Sequence, residues 1–448
     1  MSQVRVANGN GTGLWGMTGY QWTVVFAAWL GWGFDIFDGL LFNFIAPNVI
    51  PTLLGLPIGS PEASGPTLWW TAALTSLLLL GWALGGTVFG RIADRIGRTR
   101  TLMLTMLLYS IGTALCAFAP NIWSLAIFRF IASLGIGGEW AAGAAMVAEV
   151  VPEKRRVEAG ALLYTSAPFG LALATLVTYL VAGVWFKDQP EVSWRYVFLS
   201  GLIPAFFAIA VRYFIKEPDR WTALKDRTAP KVRELFTPGI RAFTISGLIT
   251  AITALITWWT CNAFLQVIAS GLADVEAATR ELDRAATLAL RESWKAQAAS
   301  WFNLGGLIGT LLTVPAAKIM GRRAMFRIYF LVSAASIFTA FGPNVSPHVH
   351  IYMYFPIGLS VFGVFGSFTY YLPELFPTRL RGTGAGFCYN IGRIAAACGP
   401  FFVVSIARSG ATALESAMTV LFWVGFVPLI GVFALRWVIE TKGRELPE

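Results

Sequence analysis

The sequence predicts an all-α integral membrane protein with twelve transmembrane helices in two pseudo-symmetric six-helix halves. Apolar stretches of around 20 residues recur along the whole chain, and each is long enough to cross a bilayer as a helix. Several landmarks also repeat at an offset of half the chain. Of the 448 residues, 56% are hydrophobic and only 13% are charged, which is about half the charged fraction of a soluble protein. The composition therefore excludes an ordinary soluble domain.

The predicted spans follow one another with short connections. They lie at 20–46, 67–92, 99–118, 122–149, 158–185, 193–215, 241–269, 296–320, 324–343, 349–372, 382–407 and 414–438. The resulting organisation is a tail (1–19), a first half (20–215), a linker (216–240), a second half (241–438) and a second tail (439–448).

One connection is long. Residues 271–295 are Ala-rich with mixed charge, and they are predicted to form an amphipathic helix outside the bilayer. This segment is either a partner surface, a lid, or a solvated connection between spans.

The distribution of charge predicts the orientation. Twelve spans place both termini on one side, and 25 of the 34 Lys and Arg residues lie in the loops and tails of that side. Seven lie on the other side, Arg291 and Lys295 among them. This bias predicts cytoplasmic termini and a multi-pass protein of the cell membrane, inner or plasma. Because the basic residues are clustered between spans, the net charge of +10 does not indicate nucleic-acid binding.

An internal repeat supports two related halves. The repeated landmarks, 223 to 225 positions apart, are Gly97-Arg98 with Gly321-Arg322, Glu149-x-x-Pro152 with Glu374-x-x-Pro377, and Glu217 with Glu440. Halves related in this way bind substrate between them, near the middle of the membrane.

The loop between the second and third spans carries the most specific motif, Gly90-Arg91-Ile92-Ala93-Asp94-Arg95-Ile96-Gly97-Arg98. It resembles the signature loop of the major facilitator superfamily, and the resemblance covers nearly the whole chain. It implies the major facilitator fold and a gating loop that latches the two halves. The gating residues are predicted to be Gly90, Asp94, Arg95, Gly97, Arg98, Glu149, Arg156, Glu374 and Arg379.

Three further motifs resemble particular branches of that superfamily. Asp35-Ile36-Phe37-Asp38 is similar to the motif of aromatic-acid:proton symporters, with Ile36 in place of glycine. Gly137-Gly138-Glu139-Trp140 resembles metabolite, sialate and muconate symporters. The tail Glu440-Thr441-Lys442-Gly443-Arg444 resembles that of sugar porters, whereas span seven has a single Gln266 where sugar porters carry a glutamine cluster. The resemblance implies proton-coupled symport of a small organic acid anion by alternating access; the alternatives are a sugar or polyol porter and a non-transporting sensor.

Ionisable side chains inside the spans are functional candidates, because each costs several kcal/mol in hydrocarbon unless it is paired or hydrated. They are Asp35, Asp38, Arg129, Glu139 and Arg393. Asp38 lies about 12 Å and Arg129 about 10 Å from the same membrane surface, at 1.5 Å per residue. We therefore predict an Asp38–Arg129 pair that acts as a proton switch, or a static structural pair. Asp35 shares a helix face with Asp38, and Glu139 is either a second proton site or a packing residue.

Arg393 is the basic group inside the spans of the second half. A cavity arginine suits bidentate capture of a carboxylate, whereas a structural arginine would bind carbonyls of a neighbouring helix. The repeat offset takes Asp38 to the uncharged Asn262, so the second half is predicted to bind the substrate. The predicted substrate-binding residues are Arg393, Asn262, Trp258, Gln266, Tyr370, Tyr389 and Asn390.

The sequence offers no nucleophile–base set, phosphate loop or metal-ligand spacing, so we expect no enzyme activity, metal or cofactor. The four cysteines lie inside apolar spans and are predicted to be packing residues. The expected partners are a small-molecule substrate, a proton and the lipid bilayer, and the expected state is a monomer.

Overall fold

The computed structural model describes residues 16–96, 98–152, 155–207, 231–342, 345–377, 380–407 and 412–443. Within these ranges the regular structure is entirely helical. The helices form the twelve transmembrane segments of two six-helix halves, named α1–α12 below. The side of the molecule with both termini is called the terminal side, and the opposite side is called the distal side.

The first half contains α1–α6. They comprise α1 (Gly19–Leu54), α2 (Pro61–Ile96), α3 (Arg98–Cys116), α4 (Ile122–Val150), α5 (Arg156–Tyr164, Ser166–Thr178 and a π-helical segment, Tyr179–Trp185) and α6 (Pro190–Leu199, continued by the 3-10 turn Ser200–Leu202).

The second half follows a 3-10 turn, Val232–Phe236. It comprises α7 (Arg241–Thr279), α8 (Arg284–Met320), α9 (Arg322–Phe341), α10 (Pro347–Ile357, the π segment Gly358–Phe362, the 3-10 segment Gly363–Ser367 and Phe368–Glu374), α11 (Arg381–Ala407) and α12 (Ala413–Val424, Phe426–Ala434 and the 3-10 turn Leu435–Trp437).

Within the described residues, apolar length agrees with ten of the predicted spans. Among the described residues, nine helices are long and apolar enough to cross a bilayer, and Ile122–Gly138 is a shorter apolar helix. Several helices continue beyond their predicted ends, and α7 and α8 extend furthest. At 1.5 Å per residue, the 39 residues of α7 span about 58 Å, well beyond the ~30 Å hydrocarbon core.

The distal connection 271–295 differs from its prediction. It is helical, but it forms no separate amphipathic helix, because its two ends continue α7 and α8. The turn is confined to 280–283, where Glu281 has a positive φ of 51° and Asp283 caps α8 by accepting from the Ala286 N–H. Arg291 pairs with Asp274 across the resulting hairpin.

Helices within one half pack main chain against main chain. In the first half, a Cβ on Gly85 of α2 would collide with the carbonyl oxygen of Leu134 on α4. In the second half, a Cβ on Gly309 of α8 would collide with the carbonyl oxygen of Leu359 on α10. These two pairs lie 224 and 225 positions apart, so the internal repeat is also a repeat of packing.

Hydrogen bonds between the halves are donated by side chains in the described residues. The helix pairs across the interface include α2–α11, α5–α8, α1–α7, α5–α10, α2–α7 and α2–α12. Ser76 of α2, for example, donates to the Ala397 carbonyl of α11 at 2.6 Å.

On the terminal side, the chain beyond α12 binds the second half. The Glu440 carboxylate accepts from the N–H groups of Arg322 and Arg323 at 2.9 Å each, and so caps α9. Thr441 donates to Glu374 at 2.5 Å, and Glu374 pairs with Arg322 at 2.7 Å. Burial alone would raise the pKa of the Glu440 carboxyl, but backbone hydrogen bonds from Lys442, Arg323 and Arg322 hold it below its ordinary value.

Candidate functional site

Arg393 lies between the two halves and is flanked by aromatic rings. Its guanidinium carbon lies 4.4 Å from the ring centroid of Trp82 on α2 and 4.7 Å from that of Tyr389 on α11. Its Nη1 donates to Asn390 Oδ1 at 3.0 Å. Only 3% of Arg393 is exposed. The predicted residues Arg393, Tyr389 and Asn390 are thus brought together, with Trp82 as an unpredicted fourth member.

The aromatic wall continues into both halves. Trp82 packs edge-on to Trp259 at 5.6 Å, and Trp259 packs against Trp258 at 4.7 Å. Tyr164 of α5 hydrogen-bonds Tyr389 and lies 6.3 Å from Phe365 of α10. We call Trp82, Tyr164, Trp258, Trp259, Phe365 and Tyr389 the aromatic wall.

Two buried indole N–H groups of this wall, on Trp82 and Trp258, have no hydrogen-bond partner among the described residues. The amide oxygen of Gln266, two turns from Trp258 on α7, has none there either. Buried polar groups cost about 1–3 kcal/mol when unsatisfied, so donors and acceptors of this kind suit a polar ligand.

Asp35 faces this site from α1. The side chain is fully buried, and its negative charge acts on the Arg393 guanidinium across the interface between the halves. The structure therefore places Asp35 with Arg393 of the second half, whereas the sequence placed it only on the face of α1 that it shares with Asp38.

Asp38 and Arg129 share a buried site inside the first half, together with Thr113 of α3. The direct ion pair predicted from their depth is not formed in this conformation. Arg129 Nη2 donates instead to the carbonyl of Gly39 at 3.0 Å, and the guanidinium lies 5.0 Å from the Phe42 ring. The arginine thus reaches the α1 main chain beside Asp38 without a direct bond to its carboxyl group.

Gly201 of α6 closes the Asp38 site. A Cβ added there would lie 2.7 Å from Asp38 Oδ1 and 2.6 Å from the methyl group of Thr113. Glycine at this position therefore leaves the room that the carboxyl group occupies.

The distal part of α1 is bonded to the second half. Asn43 donates to Asn262 of α7 at 2.8 Å, so the predicted substrate residue Asn262 bridges the halves here. One turn further, Asn48 donates to Glu292 of α8 at 3.2 Å, and Lys295 donates to the carbonyl of Phe44 at 3.3 Å.

Glu292 and Lys295 were missed as site residues, and the placement of Lys295 in a distal loop was wrong. The residues are 8% and 2% exposed and form an ion pair of 2.6 Å within the helix. Their opposite charges, three positions apart on a helix, were the available signal.

Other predicted residues lie elsewhere. Tyr370 is directed to α8 and α9, where its hydroxyl donates to the Thr313 carbonyl at 3.2 Å and its ring lies 5.7 Å from the Arg322 guanidinium. Of the gating residues, Glu374 is described, in the cluster around Glu440. The remaining gating residues and Glu139 lie outside the part of the chain whose side chains are described, so their roles stay predictions. They are Gly90, Asp94, Arg95, Gly97, Arg98, Glu139, Glu149, Arg156 and Arg379.

Comparison with known proteins decides the family. The family model of the Major Facilitator Superfamily matches residues 20–400. The chain belongs to this superfamily. It is a multi-pass membrane transporter and not an enzyme.

Two relatives and one solved structure illustrate the similarity of this superfamily member to known transporters. It is 28% identical to a Haemophilus influenzae protein whose name assigns it to metabolite transport, over 95% of this chain and 98% of that one. It is 27% identical to the gentisate transporter of Corynebacterium glutamicum, over 84% and 79%. A crystal structure of a D-xylose–proton symporter matches with a TM-score of 0.73 at 18% identity, over 96% of this chain and 100% of that one. This last likeness concerns the fold alone.

Proposed function

We propose that this transporter carries a small organic acid anion, such as an aromatic carboxylate, together with a proton. The observation that carries the proposal is Arg393, a buried cation between the halves with an aromatic ring on either side. A guanidinium binds a carboxylate through two parallel hydrogen bonds. The rings beside it suit the flat apolar body of an aromatic acid. The name of the gentisate transporter, a relative of this chain, specifies an aromatic carboxylate and supports the same substrate class.

Coupling to a proton follows from the two anions that compete for Arg393. In the absence of substrate, Asp35 is the carboxyl group of the first half that interacts electrostatically with the guanidinium. A substrate carboxylate that takes this place leaves two negative charges beside one positive charge in a buried site. Protonation of Asp35 removes one of them, so substrate and proton bind together more favourably than either alone.

Asp38 and Arg129 would form a second proton site in the first half. The carboxyl group is buried beside a guanidinium that already binds the α1 main chain at Gly39. A small shift of α4 relative to α1 would change the distance between the two charges, and with it the preference for the protonated form. The conformational change of transport would thereby load or release a proton.

The proposed orientation places the terminal side in the cytoplasm and the distal side outside the cell. The excess of Lys and Arg on the terminal side supports it. The proposed location is the cell membrane, with the monomer as the transporting unit.

The experiment that tests this function is uptake into proteoliposomes. Purified protein is given a panel of labelled aromatic carboxylates, sialate, niacin, xylose and polyols, with and without an inward pH gradient. We expect accumulation of a carboxylate only with the gradient. Accumulation of sugars alone would show a sugar porter in place of the proposed carrier. Carboxylate uptake that is independent of the pH gradient would refute proton coupling.

A further inference from the structure

We propose that Asn48, Glu292 and Lys295 form the outer gate of the transport pathway, a role that rests on the proposed orientation. Asn48 belongs to α1 of the first half, and the ion pair belongs to α8 of the second half. All three side chains are buried. Their hydrogen bonds join the two halves on the distal side, beyond the Asn43–Asn262 bond, which is closer to Asp38 along α1.

The ion pair has an arrangement suited to repeated opening. Both charges lie on one helix, three positions apart, so Glu292 and Lys295 neutralise each other whether or not α1 is present. A buried pair divided between the halves would leave two uncompensated charges each time the gate opened, at a cost of several kcal/mol. Here, opening breaks the hydrogen bonds from Asn48 and to the Phe44 carbonyl and leaves the ion pair itself intact.

The first half also contacts the pair through α5. The π-helical segment of α5 covers Glu292, since a Cβ added to Gly183 would lie 3.1 Å from Glu292 Cβ. Separation of the halves on the distal side would therefore expose the pair to both α1 and α5.

The opposing segment of α1 is suited to movement. Pro47 and Pro51 lie inside the helix and flank Asn48. Neither proline can donate the hydrogen bond to the carbonyl four residues earlier, so the main chain of α1 is loosened at this level. The distal end of α1 can thus adjust its course as the first half separates from α8, while the Asp35 and Asp38 region remains helical.

A distance measurement between spin labels tests the gate without substrate or pH gradient. Labels are placed at Phe118→Cys in the first half and Val349→Cys in the second, both exposed near the distal ends of α3 and α10. Cys398→Ser removes the exposed native cysteine, and the other three cysteines are buried. Opening of the gate should lengthen the distance between the labels in double electron–electron resonance.

Three variants should differ in a defined order in one measured quantity, the ratio of molecules at the long label distance to molecules at the short label distance. Asn48→Ala loses the bond to Glu292, and we expect the long-distance to short-distance ratio to rise about tenfold, as for the loss of one hydrogen bond to a charged group. Asn48→Asp places a carboxylate against Glu292 and should raise the ratio further. Asn48→Asp with Glu292→Gln moves the acid from α8 to α1, so that Lys295 pairs across the halves and the ratio should fall below that of the parent.

Thr52→Val is the matched control, because the Thr52 hydroxyl donates to the Asn48 carbonyl within α1 and does not reach α8. It should leave the ratio unchanged. An Asn48→Ala ratio equal to that of the parent, or an Asn48→Asp ratio unaffected by Glu292→Gln, would overturn the gate. Because no uptake is measured, this result and the outcome of the proteoliposome experiment are independent.

Discussion

Replacing Arg393 with lysine keeps the positive charge and removes the planar guanidinium. The native side chain lies over Trp82 and Tyr389 and donates to Asn390. A lysine ammonium can still attract a carboxylate, but it cannot offer two parallel donors in a fixed plane. Arg393→Lys therefore separates bidentate binding from simple charge attraction.

The size of the effect follows from the second hydrogen bond, which a lysine cannot donate to the same carboxylate. One hydrogen bond to a charged group contributes about 1.5–3 kcal/mol. Since a lysine replaces the charge but not this bond, we expect substrate Kd to rise by roughly ten- to a hundredfold. The thermal stability of the protein without substrate should change little, because Arg393→Lys introduces no new charge and no large cavity.

Equilibrium binding of the carboxylate found in the uptake panel measures this change. Arg195→Lys is the matched control: Arg195 stacks 4.2 Å over Trp194 and donates to the Ala117 carbonyl at 2.5 Å, at the distal end of α6. It should bind substrate like the parent. Unchanged affinity in Arg393→Lys, or an equal loss in both variants, would refute bidentate substrate binding by Arg393 and leave it as a packing residue.

Three more outcomes are expected. Asp38→Asn should abolish uptake driven by a pH gradient while retaining some substrate exchange, and gradient-driven uptake equal to the parent would remove Asp38 from coupling. A reporter fused after Glu448 should be cytoplasmic, and one inserted at 280–283 should be external; the reverse would refute the orientation. Because Glu440 has a lowered pKa, its contribution to stability is complete above its ordinary value of 4.5 and is lost as the pH falls below it. Glu440→Gln should therefore lower Tm at pH 7 but progressively less under acid, unlike the exposed Glu415→Gln.

The fold was largely predictable, because apolar length and the internal repeat are properties of the sequence itself. Span α9, predicted at 324–343, occupies Arg322–Phe341. The extensions of α7 and α8 were harder to predict, because the charged residues in 271–295 indicate where the hydrocarbon core ends and not where each helix ends. Asp283 caps α8 at its start, yet an Asp in an Ala-rich charged segment is equally compatible with a mid-helix surface position.

The candidate site was predictable only in part. Periodicity and depth identified Arg393, Tyr389 and Asp35 as intramembrane groups, but partners from different spans depend on helix rotation. Depth alone therefore suggested an Asp38–Arg129 bond where the guanidinium binds the main chain. Trp82 was missed because a tryptophan in an apolar span usually faces lipid or packs against other helices. Nothing in the neighbouring sequence indicates that this one lies at the candidate site.

The main-chain contacts at Gly85 and Gly309 have a consequence for the kinetics of transport. Where two helices meet without an intervening layer of side chains, no change of rotamer can absorb a relative displacement. Each half therefore resists internal deformation, and the free-energy barrier of the cycle is concentrated in the side-chain layer between the halves. Substitutions in that layer should change the turnover rate in both directions, whereas substitutions at the glycine contacts should chiefly lower the amount of folded protein.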